Sequence, residues 1–339
     1  MPRLFVRSRG DRSNARVRAA DRVVGAFTGT VPASLDRTEA MEQWLDAPLD
    51  VQTVFEPWDT GSGAVAALFE RLTAIWEAGR VPLVTWEPFT PTPAATPPDV
   101  LDRIVAGEYD DYLTRWGQAL TGWLDGPDGN VDTVDHRRLY LRLMHEPNGD
   151  WYPWAPAGGD CTAATYVEAW HRVHRLITDE GATPGRVSWI WAVNHTDIGG
   201  VAAEDLFPGT AFVDLVGVDG FNWGGSQSWS EWQSPAEVFE EGLERLRSRT
   251  SLPVCVPEFG CTSVTVDGTD RGRKNRWLRD VFAYFDEQDV SLVSYFDVEK
   301  ETDWRVFGGS EGENTIRIGG TRYQTYSGFR TGLRRYRYE

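Results

Sequence analysis

The sequence predicts an α/β chain folded as a single (β/α)8 TIM barrel. Three observations lead there: eight short β-prone runs, helix-like segments between them, and a length of 339 residues that fits eight such units in one domain. The runs are VVGAF (23–27), VQTVF (51–55), VPLVTW (81–86), LYLRLMH (139–145), VSWIWAV (187–193), FVDLVGV (212–218), LPVCVPE (252–258) and VSLVSYF (290–296). Helical patterning covers 63–79, 110–124, 165–181, 235–249 and 272–288, and the tail 321–339 supplies a closing helix whose arginines lie exposed near its C-terminus. The Pro/Thr cluster FTPTPAATPPD (89–99) is a surface loop. An open doubly wound sheet competes, but no GxGxxG follows the first run, and DTGSGA (59–64) lacks the lysine of a P-loop. The domain is expected to span 1–339, with residues 1–20 as a flexible N-terminal extension.

Charge narrows the partners. A net charge of -17, with 51 acidic against 34 basic residues, argues against nucleic acid and against an anionic membrane surface. Lys274 and Lys300 are the two lysines; the remaining cations are arginines, a pattern that suits a salty habitat or an ordinary acidic protein. Cys161, Cys255 and Cys261 are odd in number and lack CxxC spacing, so free thiols are expected, with a Cys255–Cys261 pair as the alternative. His171 and His174 lie three apart without partner acids at strand ends, so no metal and no cofactor are predicted. The arginine-rich start has no apolar core of a signal peptide, and no run approaches a membrane span, which leaves location open between cytoplasm and exterior. A monomer is expected.

Barrel chemistry sits at the C-terminal ends of strands. Those ends deliver Glu56, Trp58, Trp86, Glu87, His145, Glu146, Asn194, His195, Asp219, Asn222, Trp223, Glu258, Phe296 and Asp297, followed by Trp304. In the fourth run, strand alternation puts Arg142, Met144 and Glu146 on one face. Arg142 would then lie inside the barrel and require a carboxylate, with Glu258 a natural partner. The seventh run ends at Glu258, with Pro257 expected to stop the ladder. Two glutamates facing each other across a barrel mouth are what glycoside cleavage needs.

The aromatic content points the same way, because pyranose C–H faces stack on indoles while Asp219, Asn222 and His145 can bond hydroxyls. Trp76, Trp116, Trp123, Trp170 and Trp277 fall at core-like helical spacing and are assigned to packing. Trp151, Trp154, Trp223 and Trp304 fall in loops after strands and are assigned to sugar binding.

RLMHEPNGDWYPW, VDLVGVDGFNWG, VPEFG and SYFDVEKETDW, in that order, resemble the family 26 glycoside hydrolases, a β-mannanase family of the large retaining clan of barrels. The resemblance extends over roughly residues 50 to 305. It implies Glu146 as general acid/base and Glu258 as nucleophile of a retaining endo-hydrolase of β-1,4-mannan, with His145, Trp151 and Trp304 around the cleavage point. Mixed-linkage β-glucan and β-1,3-xylan are the alternative substrates, and a barrel that binds glycan without cutting it is the alternative class. Where the family usually carries a tyrosine this chain has Phe221, so Arg142 or a neighbour would have to supply the lost hydrogen bond.

Overall fold

In a computed structural model of the chain, residues 22–61, 63–129, 137–182 and 185–338 are described. The proposed N-terminal extension, residues 1–20, lies outside them. Eight parallel strands close a barrel: β1 (Val23–Phe27), β2 (Val51–Pro57), β3 (Val81–Glu87), β4 (Leu139–Leu143), β5 (Val187–Asn194), β6 (Leu215–Asn222), β7 (Val254–Cys261) and β10 (Leu292–Phe296). Between β7 and β10 comes a small hairpin, β8 (Val264–Thr265) with β9 (Gly268–Thr269). Closure is made by β1 against β10, in register from Val23↔Leu292 to Phe27↔Phe296, which removes the edges an open sheet would expose.

Helices α1 (Ala33–Leu45), α2 (Ala64–Glu77), α3 (Val100–Ala106), α4 (Asp110–Leu124), α5 (Ala163–Asp179), α6 (Pro235–Arg249), α7 (Arg271–Glu287) and α8 (Ser327–Tyr338) fall between and after the strands. The best-marked start is that of α6. Ser234 accepts from the Glu237 amide, Glu237 reaches back to the Ser234 amide, and Pro235 occupies the first turn. The five helix tryptophans assigned to packing are all buried. All three cysteines are free. No helix among the described residues is long and apolar enough to cross a membrane.

Four local expectations fail. The fourth strand ends at Leu143, because Met144 (φ 44°) and Glu146 (φ 51°) take the left-handed conformation, so simple alternation does not reach Glu146. Pro257 does not stop its ladder: pairing resumes at Phe259 with Gly220 and Tyr295 after register shifts on both sides. Gly217 makes room for that ring, since a Cβ there would lie 2.9 Å from Pro257 Cδ. The tail begins as a strand, β12 (Thr321–Thr325) pairing with β11 (Asn314–Ile318), before α8 starts. Arg334 and Arg335 are exposed as expected, whereas Arg337 pairs with Asp50 at the foot of β2 and donates to Pro48 O at 2.6 Å.

Candidate active site

The segment 144–154 is shaped by hydrogen bonds that offset its unusual backbone. Met144 N donates to Trp86 O (3.1 Å) and Glu146 N to Ala192 O (2.8 Å), while Tyr166 Oη donates to Met144 O (3.0 Å) and Trp154 Nε1 to His145 O (2.8 Å). Neighbours from β3, β5 and α5 thus over-determine two residues that would otherwise avoid positive φ. Asn148, buried, adds a cross-link to the β5 loop: its amide donates to Asn194 O and Asp197 Oδ1, both at 2.8 Å, and its oxygen accepts from Asn194 N at 2.8 Å. Sequence reasoning did not single out Asn148, although it stands inside the quoted motif.

Held this way, Glu146 is buried and its carboxyl accepts a 3.0 Å hydrogen bond from Trp151 Nε1. The indole lies over Gly149, where a Cβ would come within 2.5 Å of the ring. Burial, reinforced by the charge of Glu258, pushes the Glu146 carboxyl up to about 8, against the pull of Arg142 and of the Trp151 bond.

Arg142 is fully buried and sits beneath this site. It donates to Asp219 Oδ2 (2.7 Å), Glu258 Oε2 (2.6 Å) and Thr85 Oγ1 (2.9 Å), which supplies the carboxylate that a buried guanidinium requires. Burial alone would pull it down, but Asp219 and Glu258 outweigh that and hold it protonated. Glu258, inside β7 next to Pro257 where the register shifts, is only partly buried.

A fourth acid, after Glu146, Asp219 and Glu258, belongs to this cluster and was not assigned a role from sequence. Glu87, at the tip of β3, is 9 % exposed, and burial pushes it up to about 8 despite Arg142; Glu258 and Glu146 add to the rise. It ends an apolar strand without a motif of its own, so only its meeting with Arg142, Glu146 and Glu258 marks it.

The other assigned residues divide. Trp151 is 45 % exposed and Trp223 is half-buried, so both keep accessible ring surface. His145 is buried, and burial together with Arg142 depresses it well below the ordinary imidazole range. Its Nε2 lies 2.9 Å from Tyr152 Oη, while its buried Nδ1 has no protein partner. Trp304 is almost wholly buried, packed on Phe221 (4.9 Å between centroids) and Trp223 (4.7 Å). Phe221 packs against Trp304 and Phe296, and Gly260 leaves space for it, because a Cβ there would approach the Phe221 ring to 2.8 Å.

Three of the residues assigned to sugar contact are fully buried and already engaged by the protein. Trp154 is fully buried, stacked on Tyr152 at 4.2 Å and bonded to the His145 carbonyl, so it supports the segment from behind. Asp219 is fully buried as the partner of Arg142. Asn222 is fully buried and its oxygen accepts from the amides of Gly224 (3.2 Å) and Gln233 (3.1 Å), which organises the loop after β6. Strand-end position brought all three near the cleft without saying which way each side chain turns.

The two lysines bracket one wall. Lys300 is 69 % exposed, pairs with Glu301 at 2.9 Å, and adds positive charge felt by Glu258 and Glu87. Lys274 is fully buried; its ammonium donates to the carbonyls of Asp303, Trp304 (3.2 Å) and Arg305 (3.0 Å), fixing the segment that carries Trp304.

Known proteins resemble this chain in sequence and in fold. The model of Glycosyl hydrolase family 26 matches residues 82–239, which include Glu87, Arg142 and Glu146. Endoglucanase H of Acetivibrio thermocellus is 29 % identical over 294 residues, covering 85 % of this chain and 29 % of that protein. A mannan endo-1,4-beta-mannosidase of Bacillus subtilis is 24 % identical over 159 residues, covering 44 % of this chain and 42 % of that protein. The chain therefore spans less than half the length of these two relatives. Among solved structures, the catalytic domain of an endo-beta-1,4-mannanase from Bacillus sp. JAMB-750 superposes with a TM-score of 0.62 at 14 % identity, over 93 % of this chain and 85 % of that one, a likeness of fold. The segment that resembles glycosyl hydrolase family 26 carries both Glu87 and Glu146 of this cleft.

Proposed function

We propose that the chain is a retaining, endo-acting glycoside hydrolase with Glu146 as general acid/base and Glu258 as nucleophile. The observation that carries this reading is the setting of two carboxyls above one buried cation: Glu258 accepts the Arg142 guanidinium at 2.6 Å, while burial and the charge of Glu258 push Glu146 up to about 8. A proton donor is thus available near neutral pH beside a carboxyl group held in place by a guanidinium.

In the first step Glu146 protonates the glycosidic oxygen as Glu258 attacks the anomeric carbon. Arg142 holds Glu258 Oε2, so Oε1 is the oxygen presented for attack. Formation of the glycosyl ester removes the negative charge of Glu258, one of the causes that raise Glu146. Glu146, now deprotonated and stabilised by the Trp151 N–H, is then suited to take a proton from the incoming water. Phe221 has no hydroxyl to offer the nucleophile, and Arg142 fills that role.

On substrate, the motif and the mannosidase relatives favour β-1,4-mannan. The breadth of the match to endoglucanase H, 85 % of this chain against 44 % for the mannosidase, favours a β-glucan and makes it the polymer to test first. Reducing-sugar release from mixed-linkage β-glucan, glucomannan, galactomannan and β-1,3-xylan, with Glu146→Ala and Glu258→Ala as controls, decides among them. Release that persists in both variants, or none from any polymer, removes the proposal.

A further inference from the structure

Among the described residues four large apolar side chains are exposed, and two are tryptophans. Trp151 bonds to Glu146. Trp229, 70 % exposed, takes no part in the carboxylate cluster and lies in the connection from β6 to α6.

The loop is firmly held. Ser230 Oγ donates to Gly224 O (2.8 Å) and accepts from Gln227 N (3.2 Å), and Gly225 N donates to Val264 O (2.9 Å) on the hairpin after β7. Gly224 has a φ of 51°, and a Cβ there would lie 2.2 Å from Val264 O, so the two loops meet backbone to backbone. These contacts fix the backbone on both sides of Trp229.

Its ring ends an aromatic path that starts at buried Trp304, which lies against Gly260, two residues beyond Glu258. Trp304 meets Trp223 at 4.7 Å between centroids, and Trp223 meets Trp229 at 5.4 Å. We infer that Trp229 is the stacking platform of an outer subsite, which takes a pyranose ring of the same β-linked chain at a distance from the scissile bond. This rests on the hydrolase reading above. An indole face is electron-rich and the axial C–H face of a pyranose is weakly positive, so the contact needs no particular hydroxyl pattern.

The test compares the full chain with Trp229→Ala and Trp229→Phe, measuring kcat/KM on β-linked gluco- and manno-oligosaccharides of three to seven units and on the parent polymers. For Trp229→Ala we expect no change on the trisaccharide and a roughly three- to tenfold loss on the heptasaccharide and polymer, with Trp229→Phe recovering most of it. Equal loss at every length, or none at any, overturns the subsite. If the parent chain cuts nothing, the hydrolase reading fails separately, and gel retardation on β-glucan and glucomannan then decides. Retardation of the parent that weakens in Trp229→Ala supports the platform; equal mobility of the two, as expected if Trp229 instead docks another protein domain, overturns it.

Discussion

Trp151 reaches the carboxyl of Glu146 because Gly149 leaves the space beneath its indole: the hydrogen bond is 3.0 Å, and a Cβ on Gly149 would stand 2.5 Å from the ring. Gly149→Ala should therefore displace the indole and act on chemistry more than on folding. We expect kcat to fall about tenfold, the scale of losing one hydrogen bond to a charged group. Because the Trp151 bond lowers the Glu146 pKa, its loss should also move the alkaline limb of kcat/KM upward. A pH–rate series on the variant checks both.

Replacing Glu146 and Glu258 should separate the roles proposed for them. Glu146→Gln removes proton donation and should cost about 10²–10⁴ in kcat/KM on a polysaccharide, but much less on a dinitrophenyl glycoside, whose leaving group needs no proton. Glu258→Gln should abolish turnover of both. Equal losses of Glu146→Gln on the two substrates would remove its assignment as acid.

The activity of the parent should decline as pH rises through about 8, where Glu146 loses the proton it must donate. Glu87 titrates in the same range, also raised to about 8, so the limb needs assigning. In Glu87→Gln the limb should remain, because Glu146 sets it. Its disappearance would transfer the donor role to Glu87.

Arg142 neutralises a buried acid cluster, so its removal should be felt in stability. Arg142→Met leaves Asp219 and Glu258 without their shared cation and should cost about 3–5 kcal/mol. Urea melts at pH 7 and pH 5 provide the check. Lowering the pH allows a stranded carboxyl to protonate, so the deficit should shrink at pH 5, and Arg142→Met with Asp219→Asn should recover part of it at pH 7.

Much of the barrel was legible because its strands are apolar runs of fixed length, and the eight runs coincide with observed strands to within a few residues. Helix α1 escaped notice because Met41, Trp44 and Leu45 crowd its last turn and leave no periodic stripe before it. At the site, Glu146 and Glu258 were legible as acids that end apolar runs. The left-handed turn at Met144 and Glu146 was not, since its cause lies in hydrogen bonds from Trp86, Ala192, Tyr166 and Trp154, all distant in sequence or outside the strand. The same limit explains Trp154 and Asp219: loop or strand-end position suggests exposure, whereas a carbonyl and a guanidinium already claim their polar atoms.

The contrast between the two lysines has a practical side. Lys274 is sealed under three carbonyls, so apart from the chain's α-amino group an amine-reactive dye, crosslinker or resin finds Lys300, whose charge reaches Glu258 and Glu87. Random amine coupling of this protein would in effect be site-directed to the mouth of its own cleft. Immobilisation through carboxyl groups, or labelling at an introduced thiol on the opposite end of the barrel, would leave the opening clear.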